Sequence, residues 1–331
     1  MVKRFFQRAY HFLERIYNEG KRFPNRISDY GWNVAYVSFI DGLIPPGKSL
    51  KYIKVISSYV NNEMSGLIKK YNLLKDNNEM DVVREEVTPI WCCWWQGVEQ
   101  MPEIVKLCHE RLKQVIPKEA ELHIITLDNY KKYVDIDANI IKKYNDGIIT
   151  MTTMSDVLRF ALLNKYGGYW LDATVFFTGD IPKEYFKSSF YCQRMVGTEA
   201  SIREACRGNW CGFSMAGNKG NIVFRYMEEA FIEWWKKYDS IVDYVLIDYL
   251  LLSGYDNVSK IKEVIDTVPN NNEDIFEFYK QLNKPYTKEL YDELTKNNVM
   301  HKLTYKMDLT KETDDGQMTL YGYLHKMVYG Q

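Results

Sequence analysis

The stretch KYGGYWLDATVFF, residues 165–177, predicts a buried β-strand that carries a single carboxylate, Asp172. Its aromatic and aliphatic residues favour a strand, and Gly167 and Gly168 mark the point where that strand begins. A buried carboxylate without a partner costs free energy, so a cation is expected beside Asp172. Ligands of open α/β sheets bind beyond the carboxyl ends of the strands, which is where this side chain should emerge.

Hard carboxylate oxygens suit Mn²⁺ or Mg²⁺, which keep substrate phosphates among their other ligands. We therefore predict that Asp172 holds such a divalent cation together with the diphosphate of a substrate. Thr174, two residues further on, shares the same face of the strand and adds a hydroxyl group.

The segments before Asp172 alternate between strand and helix. VTPIWCCWWQG from residue 87 and AELHIITLDNY from residue 120 are typical of strands, whereas MPEIVKLCHERLKQVIP and TMSDVLRFALLNKYGG have helical spacing. This order predicts an α/β protein with a mixed, mostly parallel sheet flanked by helices. Later, RGNWCGFSMAGNKGN is typical of glycine-containing loops and NVMHKLTYKM of a short strand.

The helix before the strand carries Asp156 and Arg159 among apolar residues. Three residues apart, the two side chains share a face and can form an ion pair. They can equally bind a ligand, Asp156 through a sugar or ribose hydroxyl and Arg159 through a phosphate. Asp248, in the apolar helix LIDYLLL, also has alternative roles. It binds an acceptor, assists proton transfer, or pairs with a basic residue.

The chain of 331 residues contains 43 Lys and Arg and 44 Asp and Glu, for a formal charge of −1. This balance argues against a dedicated nucleic-acid-binding protein, which would be basic. The six cysteines form no C-x-x-C pair, which favours a reducing compartment. No apolar run approaches the roughly 20 residues that span a bilayer, so we expect no integral membrane segment.

The first 26 residues, MVKRFFQRAYHFLERIYNEGKRFPNR, predict a basic amphipathic helix. Its apolar residues recur at helical spacing; they are Phe5, Phe6, Ala9, Phe12, Leu13 and Ile16. Such a helix rests on an anionic membrane surface, or packs on its own domain with a solvated basic face.

Five segments together carry a family resemblance. SDVLRFALLNKYGGYWLDATVFF resembles the S-D-x-x-R…Y-G-G-x-x-x-D-x-D block of sugar-nucleotide-dependent glycosyltransferases with a GT-A fold, which include the Och1-type mannosyltransferases and the large clostridial glucosylating toxins. With IWCCWWQGVEQMPEIVKLCHERLKQVIP, ITLDNY, GGYWLDATVF and HKLTYK, it resembles the bacterial capsular polysaccharide synthesis protein family, a branch of these enzymes. The resemblance covers about residues 89–306 and leaves the amino-terminal region outside.

The resemblance implies a GT-A-like catalytic domain at 87–331 after a helical region at 1–86. Residues 87–182 would bind the nucleotide sugar, and 183–331 the acceptor, with a carboxy-terminal lid. The implied activity is metal-dependent, retaining transfer from a UDP-sugar to a lipid-linked glycan in capsular or surface polysaccharide synthesis. Mn²⁺ or Mg²⁺ is the implied cofactor, and the implied location is cytoplasmic, peripheral at the inner face of the cell membrane.

The resemblance also assigns residues. Asp172 would be the metal and diphosphate residue of the D-x-D motif, with Thr174 where a second Asp would stand, and His301 would complete the metal shell. Asp172 and Asp248 are the predicted catalytic residues. The predicted donor-binding residues are Trp94, Trp95, Gln96, Asn129, Asp156, Arg159, Trp170, Thr174, Thr304 and Tyr305.

Within this set the implied roles differ. Trp94 would stack on the base, with Trp91 and Trp95 as interchangeable neighbours because the sequence does not phase the alternation of side chains. Asn129 would lie beside the base, and Asp156 and Arg159 would contact the donor sugar and ribose. In HKLTYK, Thr304 and Tyr305 would close over the diphosphate.

Two alternatives come from other classes of protein. A haloacid-dehalogenase-like phosphatase requires D-x-D-x-[TV], and Thr174 replaces the second Asp, its acid and base. The same Thr174 is compatible with an inactive glycosyltransferase fold that serves as a binding or assembly subunit. A nicotinamide dehydrogenase would need G-x-G-x-x-G, which is not in the sequence.

Overall fold

The computed structural model of the chain describes residues 2–43, 48–74, 87–198 and 200–330. Its strands are β1 (Thr88–Cys93), β2 (Ala120–Ile125), β3 (Gly168–Leu171), β4 (Val175–Phe177), β5 (Phe190–Cys192), β6 (Ser214–Gly217) and β7 (Met300–Lys302). Its α-helices are α1 (Val2–Leu43), α2 (Leu50–Glu63), α3 (Ser65–Asn72), α4 (Glu103–Val115), α5 (Ala138–Asn145), α6 (Met151–Tyr166), α7 (Glu184–Lys187), α8 (Ile222–Lys237), α9 (Leu246–Asn257), α10 (Ser259–Asp266), α11 (Lys288–Thr295) and α12 (Leu320–Tyr329).

The main sheet of the described residues has five strands in the order β2-β1-β3-β6-β5. β1 is parallel to β2 and β3, while β6 is antiparallel to both β3 and β5. Four of these strands therefore share one direction and β6 alone among them is reversed. The predicted α/β class, with a mostly parallel sheet flanked by helices and a helical amino-terminal region, is confirmed.

β6 lies inside RGNWCGFSMAGNKGN, where the sequence predicts loops. All four residues of β6 are buried. Small residues let it fit between its neighbours: Ala216 pairs with Tyr169 on one side and with Tyr191 on the other. Of the glycines that suggest loops, Gly217 ends an interior strand, and Gly208, Gly212 and Gly220 lie on either side of it.

Two glycines let β3 enter the sheet. Gly168 has φ +94°, and a Cβ at this position would lie 2.2 Å from the carbonyl oxygen of Pro89 on β1. Gly167 has φ +69°, and a Cβ there would lie 2.5 Å from the amide nitrogen of Lys219. Both the left-handed backbone and the close approach exclude a side chain, so the pair fixes where β3 starts.

A second, two-stranded sheet begins directly after β3. The chain turns through Asp172 and Ala173, and β4 then pairs antiparallel with β7, so that Val175 lies opposite Lys302 and Phe176 opposite His301. The amide of Asp172 donates to Phe213 O at 2.9 Å, and the amide of Val175 to Asp172 O at 3.0 Å. Asp172 therefore lies at the junction of the two sheets.

Helix α6 carries the polar residues that meet this junction. Thr150 caps it by accepting a hydrogen bond from the amide of Thr153 at 3.2 Å. Leu158, Phe160 and Leu162 are fully buried, and the helix packs between the sheet and α8. Its first turns consequently lie beside the ends of β1 and β3.

The amino-terminal helices share the core of the rest of the protein. α2 packs against α9 and α3 against α8, and Ile56 and Val60 are buried in the same hydrophobic cluster as Trp234. Tyr52 Oη donates to Asp243 Oδ2 at 2.6 Å. Helix α1 changes direction at Gly31, where φ is +81°. The predicted boundary at residue 86 lies outside the described residues.

The amphipathic pattern predicted for residues 1–26 falls partly outside the described side chains, because those of Phe5, Phe6 and Ala9 are not described. Further along, Phe12 is 47% exposed and Leu13 64%. Within the described part of the chain, no helix combines the length and the apolar character needed to cross a bilayer.

Candidate functional site

A cavity of about 280 Å³ opens at the carboxyl ends of β1 and β3. Nine of the predicted site residues line it: Trp94, Trp95, Gln96, Asp156, Arg159, Trp170, Asp172, Thr174 and Tyr305. It is completed by residues that were not predicted, which are Cys93, Met151, Thr152, Ser155, Ala173 and Lys302. Its position is the one expected for ligand sites in open α/β sheets.

Asp172 is held by three donors from three parts of the chain. Its Oδ1 accepts from Trp170 Nε1 at 2.9 Å and from Arg159 Nη2 at 3.2 Å. Its Oδ2 accepts from Lys302 Nζ at 3.0 Å. Burial alone would raise the pKa of this carboxyl, but Lys302 and Arg159 outweigh it and hold the pKa well below its usual range. Asp172 is therefore a carboxylate at all physiological pH values.

The sequence predicts a cation beside Asp172, and in the structure Lys302 is one. Its ammonium group also donates to Thr174 Oγ1 at 2.6 Å and lies 5.1 Å from the centre of the Phe213 ring. The backbone holds it there, since the amide of Leu303 donates to Thr174 O at 2.8 Å. Its side chain is only 19% exposed, so it is a fixed part of the cavity wall.

The predicted pair of Asp156 and Arg159 forms, and it forms in the cavity. Arg159 Nη1 donates to Asp156 Oδ1 at 2.9 Å, and the guanidinium lies 5.0 Å over the Trp170 ring. Burial raises the pKa of Asp156 to about 6, against the opposing charge of Arg159 and with a contribution from Asp172. The ion pair and the cavity position coexist, so neither excludes a role in ligand binding.

The three tryptophans in and after the first strand differ in their exposure and contacts. Trp91 is 2% exposed and stacks on His123, and its Nε1 donates to Gly167 O at 2.9 Å. Trp95 is 5% exposed, and its Nε1 donates to Met151 O at 2.9 Å and to Ser155 Oγ at 2.8 Å. Both rings are thus fixed by internal contacts.

Trp94 differs from its two neighbours. It is half-buried, lines the cavity and meets Tyr305 edge to face at 5.7 Å. Its buried Nε1 has no hydrogen-bond partner among the described residues. Of the three rings, Trp94 is the one that both lines the cavity and is partly exposed.

Four predicted residues do not line the cavity: Asn129, Thr304, His301 and Asp248. Asn129 closes the end of β2, where its Nδ2 donates to Ile124 O at 2.8 Å and its Oδ1 accepts from the amide of Thr126 at 2.9 Å. Thr304 Oγ1 accepts from the amide of Lys306 at 3.2 Å. Both side chains satisfy the local backbone instead of facing the cavity.

His301, the third of these, lies on the other side of β7 from Lys302, because successive side chains alternate along a strand. It is 2% exposed, its ring lies 4.4 Å from that of Phe278, and its Nε2 lies 3.2 Å from Thr178 Oγ1. Burial lowers its pKa to about 3. It does not approach Asp172, so the structure does not bring together the two predicted metal ligands.

The donor set does not fit a divalent cation. Both oxygens of Asp172 are engaged by cationic or N–H donors, and Thr174 accepts from Lys302. Across residues 2–43, 48–74, 87–198 and 200–330, no three His, Cys, Asp or Glu side chains are grouped so as to hold a metal. Dependence on Mn²⁺ or Mg²⁺ stays a prediction.

Asp248 lies near the cavity without lining it. Its Oδ1 accepts from Trp210 Nε1 at 2.9 Å, so its hydrogen-bond partner is an indole and not a basic side chain. Burial raises the pKa of this carboxyl to about 7; the Trp210 hydrogen bond opposes the shift, and Glu204 and Asp156 add to it. Asp248 thus exchanges its proton near neutral pH.

The fold and the cavity define an α/β protein with a charged cavity at the carboxyl ends of parallel strands. The chain belongs to the capsular polysaccharide synthesis protein family, whose profile matches residues 48–324. This match begins before the region of resemblance at 89–306 and includes helices α2 and α3.

Other comparisons add little. The solved structure of a protein titled PaToxG Glycosyltransferase is similar, with 12% sequence identity, coverage of 84% of this chain and 94% of that chain, and a TM-score of 0.36. A likeness at this TM-score carries no argument about function. A comparison with curated proteins finds no match.

Proposed function

We propose that the protein is a glycosyltransferase that moves a sugar from a nucleoside diphosphate sugar, a UDP-sugar, to a lipid-linked glycan in capsular or surface polysaccharide synthesis. One observation carries this proposal: the half-buried ring of Trp94 lines the same cavity as the charged cluster around Asp172. A flat ring next to paired charges suits a ligand that joins a base to phosphates and sugar hydroxyls. Membership of the capsular synthesis family supports the acceptor class.

In this proposal the cavity residues bind distinct parts of the donor. The base stacks on Trp94 beneath Tyr305, and Asp156 accepts hydrogen bonds from ribose or sugar hydroxyl groups. Arg159 contributes positive charge beside the diphosphate. Asp248, which titrates near neutral pH, accepts a hydrogen bond from the acceptor.

The reaction replaces one bond at the anomeric carbon by another. The bond from that carbon to the β-phosphate oxygen breaks, and its electron pair stays on the phosphate. The acceptor hydroxyl oxygen forms the new bond, and its proton passes to the leaving phosphate oxygen. Retention of the anomeric configuration follows from the resemblance to retaining enzymes. Positive charge near the departing phosphate is the main electrostatic requirement of this step.

We also propose that helix α1 contacts the inner face of the cell membrane. Phe12, Leu13 and Tyr17 are exposed on it, with Lys21 4.4 Å above the Tyr17 ring. Further along, Trp32 and Tyr36 are exposed one turn apart. Exposed apolar and aromatic residues next to basic ones favour an anionic lipid surface over water. A lipid-linked acceptor requires such proximity.

The phosphatase alternative receives no support from the cavity. Thr174 stands where that chemistry needs its acid and base, and its hydroxyl oxygen is occupied by the Lys302 ammonium. The inactive-subunit alternative stays open and is decided by turnover.

The test combines binding and hydrolysis of nucleotide sugars with the full-length protein. A panel of UDP-, GDP- and CDP-sugars is screened by thermal shift, and release of the nucleoside diphosphate is then measured. We expect stabilisation by UDP-sugars, slow donor hydrolysis, and loss of both in Trp94→Ala. Binding without any turnover, with or without an acceptor, would favour the assembly subunit. The absence of binding by every donor would overturn the proposal.

A further inference from the structure

We propose that Lys302 takes the place of a divalent cation and binds the diphosphate of the donor, so that donor binding and transfer proceed without added metal. This inference rests on the proposed function, since it concerns the same cavity and the same donor. It starts from the disagreement between the D-x-D-like motif and the side chains around Asp172.

The position that a metal would take beside Asp172 is occupied by the Lys302 amine. Nζ lies 3.0 Å from Asp172 Oδ2 and 2.6 Å from Thr174 Oγ1, the two side chains that the motif would offer to a cation. The other Asp172 oxygen accepts from Arg159 and Trp170. A metal at Asp172, whose side chain is 31% exposed, would have to displace the Lys302 amine from the position between Asp172 and Thr174. The Lys302 ammonium, 19% exposed, would then lose its carboxylate partner, whereas Arg159 would keep Asp156.

Lys302 also has the capacity to bind the donor. An ammonium group has three N–H donors, and the contacts to Asp172 and Thr174 use two of them. The third is available for a phosphate oxygen, and the side chain lines the cavity. Lysine is a common point-charge partner of phosphates.

The formal charges agree with this substitution. Two cations, Lys302 and Arg159, face two carboxylates, Asp156 and Asp172. Their formal sum is zero, which equals that of a divalent cation on two carboxylates. Thr174 in place of a second acidic residue leaves Asp172 as the direct carboxylate partner of Lys302. The cavity therefore presents to a diphosphate the same formal charge that a metal-loaded D-x-D site presents.

In transfer, Lys302 acts on the leaving group. As the bond between the anomeric carbon and the β-phosphate oxygen breaks, the electron pair stays on that phosphate, and the ammonium group stabilises the added charge. The acceptor proton moves to the leaving oxygen, so Lys302 stays protonated throughout. Asp172 and Thr174 position the amine and do not touch the donor.

The experiment measures the binding of UDP and of uridine by calorimetry, in EDTA and in Mn²⁺, with GDP and CDP in parallel. The full-length protein is compared with Lys302→Met, with Lys302→Arg, and with Lys296→Met as a matched control on an exposed lysine outside the cavity. We expect UDP affinity to be the same in both buffers within about twofold. Lys302→Met should weaken UDP binding by about tenfold or more and leave uridine binding unchanged.

The charge-conserving Lys302→Arg should retain more UDP affinity than Lys302→Met, which separates the loss of charge from a loss of structure. Lys296→Met should behave like the unaltered protein. UDP binding that disappears in EDTA and returns with Mn²⁺ would overturn the inference while leaving the proposed function standing. A protein that binds no nucleoside diphosphate in either buffer would overturn the proposed function, and the inference with it.

Discussion

Lys302 Nζ lies 3.0 Å from Asp172 Oδ2, although 130 residues separate the two along the chain. The contact joins the turn after β3 to the late strand β7, and therefore joins the main sheet to the small one. Each residue neutralises the other where neither is well solvated. The position of β7 and the charge on Asp172 are thus linked through one ion pair.

Replacing Asp172 by Asn should reduce sugar transfer by about 100-fold or more. An amide has the shape of the carboxylate, but it lacks the charge and turns an N–H group toward the donors Lys302 or Arg159. Lys302 then loses its carboxylate partner, and Arg159 keeps only Asp156. The rate is measured as nucleoside diphosphate release, with circular dichroism to establish that the fold is retained.

The control for this variant is Asp135→Asn, which neutralises an exposed carboxylate outside the cavity. It should keep the rate of the unaltered protein. If Asp172→Asn keeps more than about a third of the rate, this carboxylate does not organise the site.

Trp170→Phe should lower the free energy of unfolding by about 1.5 kcal/mol more than Trp235→Phe does. Each ring is 1% exposed. The indole of Trp170 donates to the charged Asp172, whereas the buried Nε1 of Trp235 has no partner among the described residues. The difference between the variants separates the loss of ring volume from the polar contacts of Trp170, which are the hydrogen bond to Asp172 and the Arg159 guanidinium over the ring.

Urea unfolding at neutral pH measures both variants. Equal losses would mean that the bond from Trp170 to Asp172 contributes no net stability. We also expect Trp170→Phe, but not Trp235→Phe, to slow transfer, because only Trp170 orients the carboxylate.

Asp248→Asn should become more stable relative to the unaltered protein as the pH rises from about 4 to 7. The folded-state pKa of Asp248 is raised to about 7, above its unfolded value. Its contribution is therefore fully present below the unfolded pKa and is lost as the pH rises through the folded pKa. The loss proceeds at up to roughly 1.4 kcal/mol per pH unit, and the uncharged Asn does not share it.

Unfolding free energies of the two proteins at several pH values between 4 and 8 check this prediction. A constant difference across that range would show that Asp248 titrates at its ordinary pKa. Should Asp248 also bind the acceptor, the variant would raise the KM for the acceptor and leave donor binding unchanged.

Gly168→Ala should lower the free energy of unfolding by about 2 kcal/mol or more. The new methyl group would meet Pro89 O on the neighbouring strand in a backbone conformation that alanine avoids. The control is Gly66→Ala in α3, where a Cβ would contact nothing within 4 Å. There we expect a gain of up to about 1 kcal/mol, since alanine favours a helix. Similar effects of both substitutions would contradict the assigned entry of β3.

Leu13→Ser with Tyr17→Ser should weaken binding to anionic vesicles at least fivefold or so, by removing apolar area from the proposed contact. The matched control is Leu73→Ser with Tyr244→Ser, two residues that are even more exposed, at 72% and 71%, but lie outside α1. Co-sedimentation with phosphatidylglycerol vesicles measures the effect, and added salt should weaken binding further. Equal losses of vesicle binding for both pairs would mean that α1 is a solvated surface helix without a membrane contact.

What the sequence predicts correctly is local. The glycine pair, the apolar run and the one carboxylate lie within thirteen residues, and together they place Asp172 at the ligand edge of the sheet. The pairing of Asp156 with Arg159 follows from helical spacing alone. The sequence could not decide which of the three tryptophans is partly exposed in the cavity, because the alternation of side chains along a strand has two possible phases.

The unknown phase of side-chain alternation also explains why the sequence does not predict Lys302 as a cavity residue. The motif HKLTYK was recognised, but its strand is three residues long, and a one-residue change of phase exchanges His301 for Lys302 at the cavity. The predicted burial of Asp172 could have identified Lys302, because a buried carboxylate needs a cationic partner and a lysine is a natural one. Asn129 lies at the end of β2, as predicted, but outside the cavity lining, because an Asn after a strand often bonds to the local backbone.

The strand that supplies the lysine follows the rest of the cavity along the chain. Residues 88–171 contribute β1, α6 and β3, whereas the amine that neutralises Asp172 enters only with β7. During synthesis, the nascent chain therefore carries Asp172 without this partner until residue 302 has been added and β7 has paired with β4.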